Sequence, residues 1–141
     1  MKSLVVVFSV LLAVFLAGCT NLPVTNLKEC GTDFTGCFSE SARKCEPATV
    51  KYDISSSGSS GLVFLFEVRS GTPESCKFYA RVDDYKFPTG YTPTTTDLQR
   101  ASDFKGKDME CVVPPTVFIS GGADLFNRCT GSLADAFKES Y

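Results

Sequence analysis

The sequence has 141 residues, of which 43% are hydrophobic and 21% are charged, and its formal net charge is -2. These values are typical of one globular domain and exclude a disordered or fibrous chain. The absence of histidine excludes Ser-His-Asp and Cys-His catalysis, and it also excludes His-ligated zinc or haem. The sequence contains no run of lysine or arginine, so we expect no nucleic-acid partner.

Residues 1–18 have the pattern of an export signal. Lys2 provides one positive charge, and residues 4–16 form an apolar run that only Ser9 interrupts. This run is shorter than the roughly 20 apolar residues that a membrane-spanning helix needs. We therefore expect a signal peptide that is cleaved, and not a permanent membrane helix.

The junction Leu16-Ala17-Gly18-Cys19 resembles the lipobox of prokaryotic lipoproteins. In that family the signal peptide is cleaved before the cysteine, whose thiol then carries a diacylglycerol with acyl chains such as palmitate. The resemblance covers residues 1–19 only, and it implies that Cys19 is lipidated and that the membrane is a partner of the exported chain. Two acyl chains hold a protein stably on a bilayer, because each buried methylene contributes about 0.8 kcal/mol.

Residues 19–29 are expected to be a tether, and residues 30–141 are expected to be a single disulfide-stabilised domain. An even number of cysteines in an exported domain predicts three disulfide bonds. The sequence contains no C-x-x-C pair, so we expect neither a metal site nor a redox site, and no cofactor. The six cysteines of the domain are Cys30, Cys37, Cys45, Cys76, Cys111 and Cys129.

Residues 33–44 are predicted to form a helix that begins near Asp33, because apolar residues recur at spacings of three and four. Cys37 and Cys45 would then lie about 12 Å apart along the axis, whereas the Cα atoms of a disulfide lie within about 7 Å. The predicted helix therefore excludes a bridge from Cys45 to Cys37 or to the more distant Cys30.

Alternating hydrophobic and polar residues predict four β-strands, at residues 49–54, 62–69, 76–83 and 108–113. The outward positions carry charged residues, which favours an antiparallel sheet with one solvated face. The large inward residues are Tyr52, Phe64, Phe66, Phe78 and Met109.

The predicted helix offers Phe34 and Phe38 to cover these inward rows, which predicts a two-layer α+β domain. We expect a four-stranded antiparallel meander sheet, covered on one face by the N-terminal helix. Short helices are expected to follow at residues 123–129 and 132–139, and disulfides are expected to staple the domain.

The strand pattern also predicts one disulfide. Cys76 and Cys111 both point inward from strands that we expect to be antiparallel neighbours, which predicts a bridge between them. The alternative arrangement places another strand between these two and sends Cys111 to Cys129 or Cys45. If Cys76 pairs with Cys111, elimination leaves Cys45 with Cys129 and Cys30 with Cys37.

Residues 84–107 form the longest irregular stretch, and such loops are usually functional or disordered. Tyr85, Phe87 and Tyr91 lie in this stretch and are candidate anchors for a ligand or a protein partner. The alternative is that these rings cap one end of the core and that residues 96–104 form a short helix.

The outer face of the predicted sheet carries both signs of charge. Lys77, Tyr79 and Arg81 on the third strand would be able to receive an anionic group. The preferred interpretation is cross-strand pairing, because acidic residues share the same face. Those acidic residues are Glu67, Asp83 and Glu110, and Lys51 adds a further cation.

Catalytic motifs are scarce, since the sequence has no G-x-S-x-G, no P-loop and no G-x-G-x-x-G. The neighbouring Asp83 and Asp84 point to opposite faces of a strand, so they do not form a catalytic pair. We therefore expect a protein that is not an enzyme.

Three short segments, Cys30-Gly31-Thr32-Asp33, Cys37-Phe38 and Cys45-Glu46-Pro47-Ala48, are similar to cysteine-patterned modules in uncharacterised exported proteins of archaea and small-genome bacteria. This likeness supports the disulfide interpretation and implies no activity.

Together the patterns predict an exported lipoprotein, anchored at the cell membrane or cell surface through Cys19. Its domain is expected to be a non-catalytic binding or interaction module for a protein or a small molecule. The alternative function is that of a small cell-envelope hydrolase that uses carboxylates without histidine.

Overall fold

The computed structural model of the protein describes residues 27–55 and 59–139. The predicted signal peptide, the lipobox and Cys19 lie outside the described residues, so these stay predictions. The strands are β1 (Lys28–Glu29), β2 (Ala48–Asp53), β3 (Gly61–Thr72), β4 (Ser75–Lys86), β5 (Asp108–Val113) and β6 (Cys129–Thr130). A π-helical turn (Phe34–Phe38) continues into α1 (Ser39–Arg43), and the later helices are α2 (Thr95–Phe104), α3 (Pro115–Ser120), α4 (Ala123–Asn127) and α5 (Ser132–Lys138).

The domain is α+β and contains one mixed sheet in which the six strands lie in chain order. The strands β2 to β5 are antiparallel neighbours, which confirms the four predicted strands and their order. The expected four-stranded, purely antiparallel sheet was incomplete, because β1 adds a parallel edge and β6 adds an antiparallel one. Each of these edge strands has two residues, which is too short for alternation to reveal.

The predicted N-terminal helix is confirmed, although it begins with a π-helical turn. The Asp33 carboxylate accepts hydrogen bonds from the backbone N–H groups of Gly36 (2.9 Å) and Cys37 (3.0 Å), which stabilises the start of the turn. These two bonds hold the pKa of Asp33 below its ordinary value. The Phe34 ring then lies 4.5 Å from the Tyr52 ring, so the turn packs on the inner face of the sheet.

Each helix on the inner face is much shorter than the longest strands of the sheet. Strands β3 and β4 have 12 residues each, which corresponds to about 40 Å. Helices α1, α3, α4 and α5 have only 5, 6, 5 and 7 residues, or about 8 to 10 Å each. Several short helices therefore share one long sheet face, and gaps between them are expected.

Three disulfides cross-link the domain: Cys30–Cys37, Cys45–Cys76 and Cys111–Cys129. The expected Cys30–Cys37 bridge is confirmed. The predicted Cys76–Cys111 bridge is wrong, because β5 is shifted by two residues and places Val113 opposite Cys76.

The inferred Cys45–Cys129 bridge is wrong for the same reason. Cys129 on β6 lies directly opposite Cys111, with a Cα–Cα distance of 4.2 Å, and this leaves Cys45 for Cys76. The Cys111–Cys129 bridge is one of the two alternatives, although β4 and β5 are direct neighbours with no strand between them.

Candidate functional site

One connected surface is formed by Tyr85, near the end of β4, and by Phe87 and Tyr91 in the loop that follows. The ring centroids of Tyr85 and Phe87 are 4.9 Å apart, and those of Phe87 and Tyr91 are 6.1 Å apart. Tyr85 is half-buried against the core, whereas Tyr91 is 46% exposed. The cluster therefore continues the core outward at one end of β4, and its role in binding stays a prediction.

The exposed end of this aromatic cluster is held by helix α2. The Tyr91 hydroxyl donates a 2.8 Å hydrogen bond to the Asp97 carboxylate, and the Thr94 backbone N–H donates to the same oxygen. Hydrogen bonds from Thr94 and Tyr91 lower the pKa of Asp97. No residue of α2 is buried in the part of the chain that the structure describes, and Leu98 is 55% exposed.

The inner face of the sheet contains an apolar cleft. It lies between the π-helical turn, the sheet and helices α3 to α5, and its volume is about 280 Å³. We call it the inner cleft. Its lining residues are Phe34, Ile54, Phe64, Phe66, Met109, Phe118, Gly121, Leu125, Phe126 and Phe137.

The inner cleft has a buried floor and a partly exposed rim. The floor residues are 4 to 6% exposed, so little of their surface reaches solvent. Ile54 is 50% exposed, because it follows the last residue of β2 and extends beyond the helical layer. The floor consists of Phe64, Met109, Phe118 and Leu125.

No side chain that lines the inner cleft, among the residues described, carries a polar nitrogen or oxygen. Six phenylalanines, one methionine and two aliphatic residues supply its walls, together with the backbone at Gly121. Such a surface binds apolar groups through burial and dispersion, and it offers no group for acid–base or nucleophilic chemistry.

The outer face of the sheet has the opposite character, because its cations are paired. Lys51 contacts Asp83 at 2.6 Å, and the guanidinium of Arg69 lies 3.9 Å above the Tyr79 ring. These contacts support the prediction of cross-strand pairing over that of an anion site. Further ion pairs join Arg81 to Asp83, Lys77 to Glu110, and Arg69 to both Glu67 and Glu110.

One hollow on this outer face brings two carboxylates together. Asp108 and Glu110 both line a space of about 250 Å³, next to Tyr79 and Arg69. Asp108 accepts a 3.2 Å hydrogen bond from the Tyr79 hydroxyl, and burial together with the Asp108 charge raises the pKa of Tyr79. Glu110 is paired with Arg69 and Lys77, so neither carboxylate is without a partner.

The sequence contains two S-x-x-K segments, contrary to the expectation that it has none, and neither forms a nucleophile site. In the first, Ser41 is 1% exposed and its hydroxyl lacks a hydrogen-bond partner among the described residues, whereas Lys44 is exposed. In the second, Ser102 and Lys105 are both exposed, and Lys105 pairs with Asp84 at 3.2 Å. Neither hydroxyl therefore meets a lysine amine inside a cleft.

The inner cleft was the site that sequence analysis missed. One signal was available, since Ile54 continues the inward alternation of Val50 and Tyr52 beyond the end of the strand. The sequence pattern could not show which helices line the inner cleft, because that depends on how the short helices pack on the sheet.

Comparison with protein-family models, curated proteins and solved structures finds no match to this chain. Three disulfides indicate an oxidising, extracellular compartment. Within residues 27–55 and 59–139, no helix has the length and apolar character needed to cross a membrane. The same residues contain no group of three or more cysteine or acidic side chains that could hold a metal ion.

Proposed function

We propose that the chain is an exported protein, anchored to a membrane by a lipid on Cys19, whose domain binds an apolar ligand without catalysing a reaction. The anchor is supported by the lipobox-like junction that ends at Cys19. Three disulfides are consistent with export, because they form and persist in oxidising compartments.

The binding function rests on the inner cleft. Its 280 Å³ approach the lower limit of ligand pockets, which is about 300 Å³. At its rim the Ile54 side chain is half-exposed, and a bound ligand would cover this apolar surface. The aromatic cluster of Tyr85, Phe87 and Tyr91 is proposed as a second contact surface, suited to a protein partner.

The alternative function, a hydrolase that uses carboxylates, is favoured by one observation only. Asp108 and Glu110 share a hollow, yet both are held by hydrogen bonds or ion pairs to neighbouring side chains. An Asp108→Asn variant should therefore leave ligand binding unchanged. A hydrolytic activity towards envelope esters or glycosides that this variant loses would favour the enzyme instead.

Intact-mass analysis of the membrane fraction tests the anchor. We expect a mature chain that begins at Cys19 and carries a diacylglycerol on its thiol. An unmodified Cys19, or a mature chain that begins at another residue, would show that this part of the proposal is wrong.

An apolar fluorescent probe tests the binding function on the full chain. We expect the probe to bind the wild-type protein, and we expect Ile54→Glu to weaken binding at least tenfold by placing a carboxylate on the rim. Leu98→Glu is the matched control, because Leu98 is exposed to a similar degree and lies outside the cleft lining. Equal loss in both variants, or no probe binding at all, would contradict the proposal.

A further inference from the structure

We propose that the inner cleft holds one unbranched alkyl chain, supplied by a single-chain lipid that is separate from the anchor on Cys19. This inference rests on the proposed binding function and names the ligand class of the same site. It is carried by the shape of the cleft, its size and the chemistry of its lining.

The lining of the inner cleft extends across several strands of the sheet. Phe66 on β3 and Met109 on β5 both line the cleft, and each lies directly opposite Ala80 of the intervening strand β4. From Ile54 near β2 to Met109 on β5 the lining crosses three strand spacings, or about 14 Å. An extended chain of ten carbons is about 12 Å long, given C–C bonds of about 1.5 Å.

The volume of the inner cleft agrees with that length. Its 280 Å³ are about twice the 150 Å³ cavity that accepts one benzene molecule, which leaves room for roughly ten carbon atoms. A volume of about 280 Å³ is too small for a protein helix, which with its side chains is about 10 to 12 Å wide. A second copy of the chain fits no better, because stable interfaces bury more than about 1,000 Å².

The lining also predicts that binding affinity does not depend on the charge of the ligand's head group. No described side chain of the lining is charged, so nothing inside the cleft selects a carboxylate or an ammonium. Asp53, which precedes Ile54 in the chain, is paired with Lys86. The polar head of the ligand is therefore expected to remain in solvent, while the alkyl chain is buried.

Photolabelling of the full chain in lipid nanodiscs tests the inference. The probe is decanoate with a photoreactive diazirine at its terminal carbon, and mass spectrometry identifies the labelled peptides. We expect label in the peptides that contain Phe64, Met109 and Phe118. Unlabelled carboxylates of increasing length should compete about fourfold better for each added methylene, up to about ten carbons, and longer chains should gain nothing further.

Charge on the rim provides a matched pair of variants. Wild-type protein should bind decanoate and decyltrimethylammonium within about threefold of each other. Ile54→Glu should shift that ratio at least threefold towards the ammonium, and Ile54→Lys should shift it at least threefold towards the carboxylate. Ile54 is half-exposed, so both variants are expected to fold, and Leu98→Glu should leave the ratio unchanged.

Three results would overturn the inference. The first is competition that does not depend on chain length, and the second is stronger competition by fused aromatic acids than by any alkyl chain. The third is label that enters the cleft only when Cys19→Ser removes the anchor, which would mean that the protein's own acyl chain fills it. If one of these results is obtained but the fluorescent probe still binds in an Ile54-dependent manner, only the ligand class is wrong. If the Ile54-dependent binding of the fluorescent probe fails as well, the proposed binding function is also wrong.

Discussion

The two faces of the sheet use the same strands for opposite purposes. On the inner face, Phe78 is fully buried and stacks on Phe118 with ring centroids 4.1 Å apart. On the outer face the next residues along β4, Lys77 and Tyr79, contact charged partners in partial solvent. Burial on the inner face therefore provides most of the stability and forms the proposed ligand site, whereas the charged residues of the outer face form ion pairs with one another.

Adjacent residues of β4 allow the sharpest test of that difference. Phe78→Ala should lower the free energy of unfolding by about 3 to 5 kcal/mol, because it removes a buried ring and leaves a cavity. Lys77→Ala should cost less than about 1 kcal/mol, since its ion pair with Glu110 is exposed to solvent. Denaturant unfolding of both variants measures the two values, and equal losses would contradict the assignment of stability to the inner face.

The disulfides differ in the length of chain that they close. Cys45–Cys76 has a sequence separation of 31 and Cys30–Cys37 one of 7. The chain-entropy model gives about 3.7 kcal/mol for the longer loop and about 2.4 kcal/mol for the shorter one. The double variant Cys45→Ser with Cys76→Ser should therefore be less stable than Cys30→Ser with Cys37→Ser.

Non-reducing peptide mapping is the control for this prediction. It should recover peptides linked through Cys45 and Cys76 from the wild-type protein. A linked peptide that joins Cys76 to Cys111 would show that the strand register is wrong, and it would move the residues that form the floor of the inner cleft.

Removing a charge from the outer face should lower the free energy of unfolding by a small amount that depends on pH. A hydrogen bond and charge from Lys51 hold the pKa of Asp83 below its ordinary value of 3.8. A lowered pKa in the folded state adds stability that is complete above that ordinary value and is lost as the pH falls through the lowered pKa. Asp83→Asn should therefore cost less than about 1 kcal/mol at pH 7, and this difference should shrink below pH 4. A difference that grows in acid would contradict the pairing.

Local patterns were sufficient for most of the fold. The four central strands follow alternation over six or more residues, and the N-terminal helix follows spacings of three and four with Asp33 at its start. The loop was only partly predicted, because strand β4 continues to Lys86 and helix α2 covers Thr95–Phe104.

Features that depend on register or on packing were missed. A shift of two residues between β4 and β5 decided the partner of Cys111, and neither strand's own sequence encodes that shift. Pro115 begins helix α3, where the first turn does not need its N–H, and no helix was expected there because the segment is short. The inner cleft requires three separate short helices around one sheet, which no single segment predicts.

The methyl group of Met109 offers the most direct test of the central claim that the inner face binds an alkyl chain. The sequence contains two methionines, Met1 and Met109, and Met109 lies on the cleft floor at 4% exposure. Full-length protein with carbon-13 methyl-labelled methionine should show a Met109 resonance, assigned with Met109→Leu, that shifts on addition of decanoate and saturates at one equivalent. A Met109 resonance that stays unchanged while decanoate binds elsewhere on the protein would contradict the account.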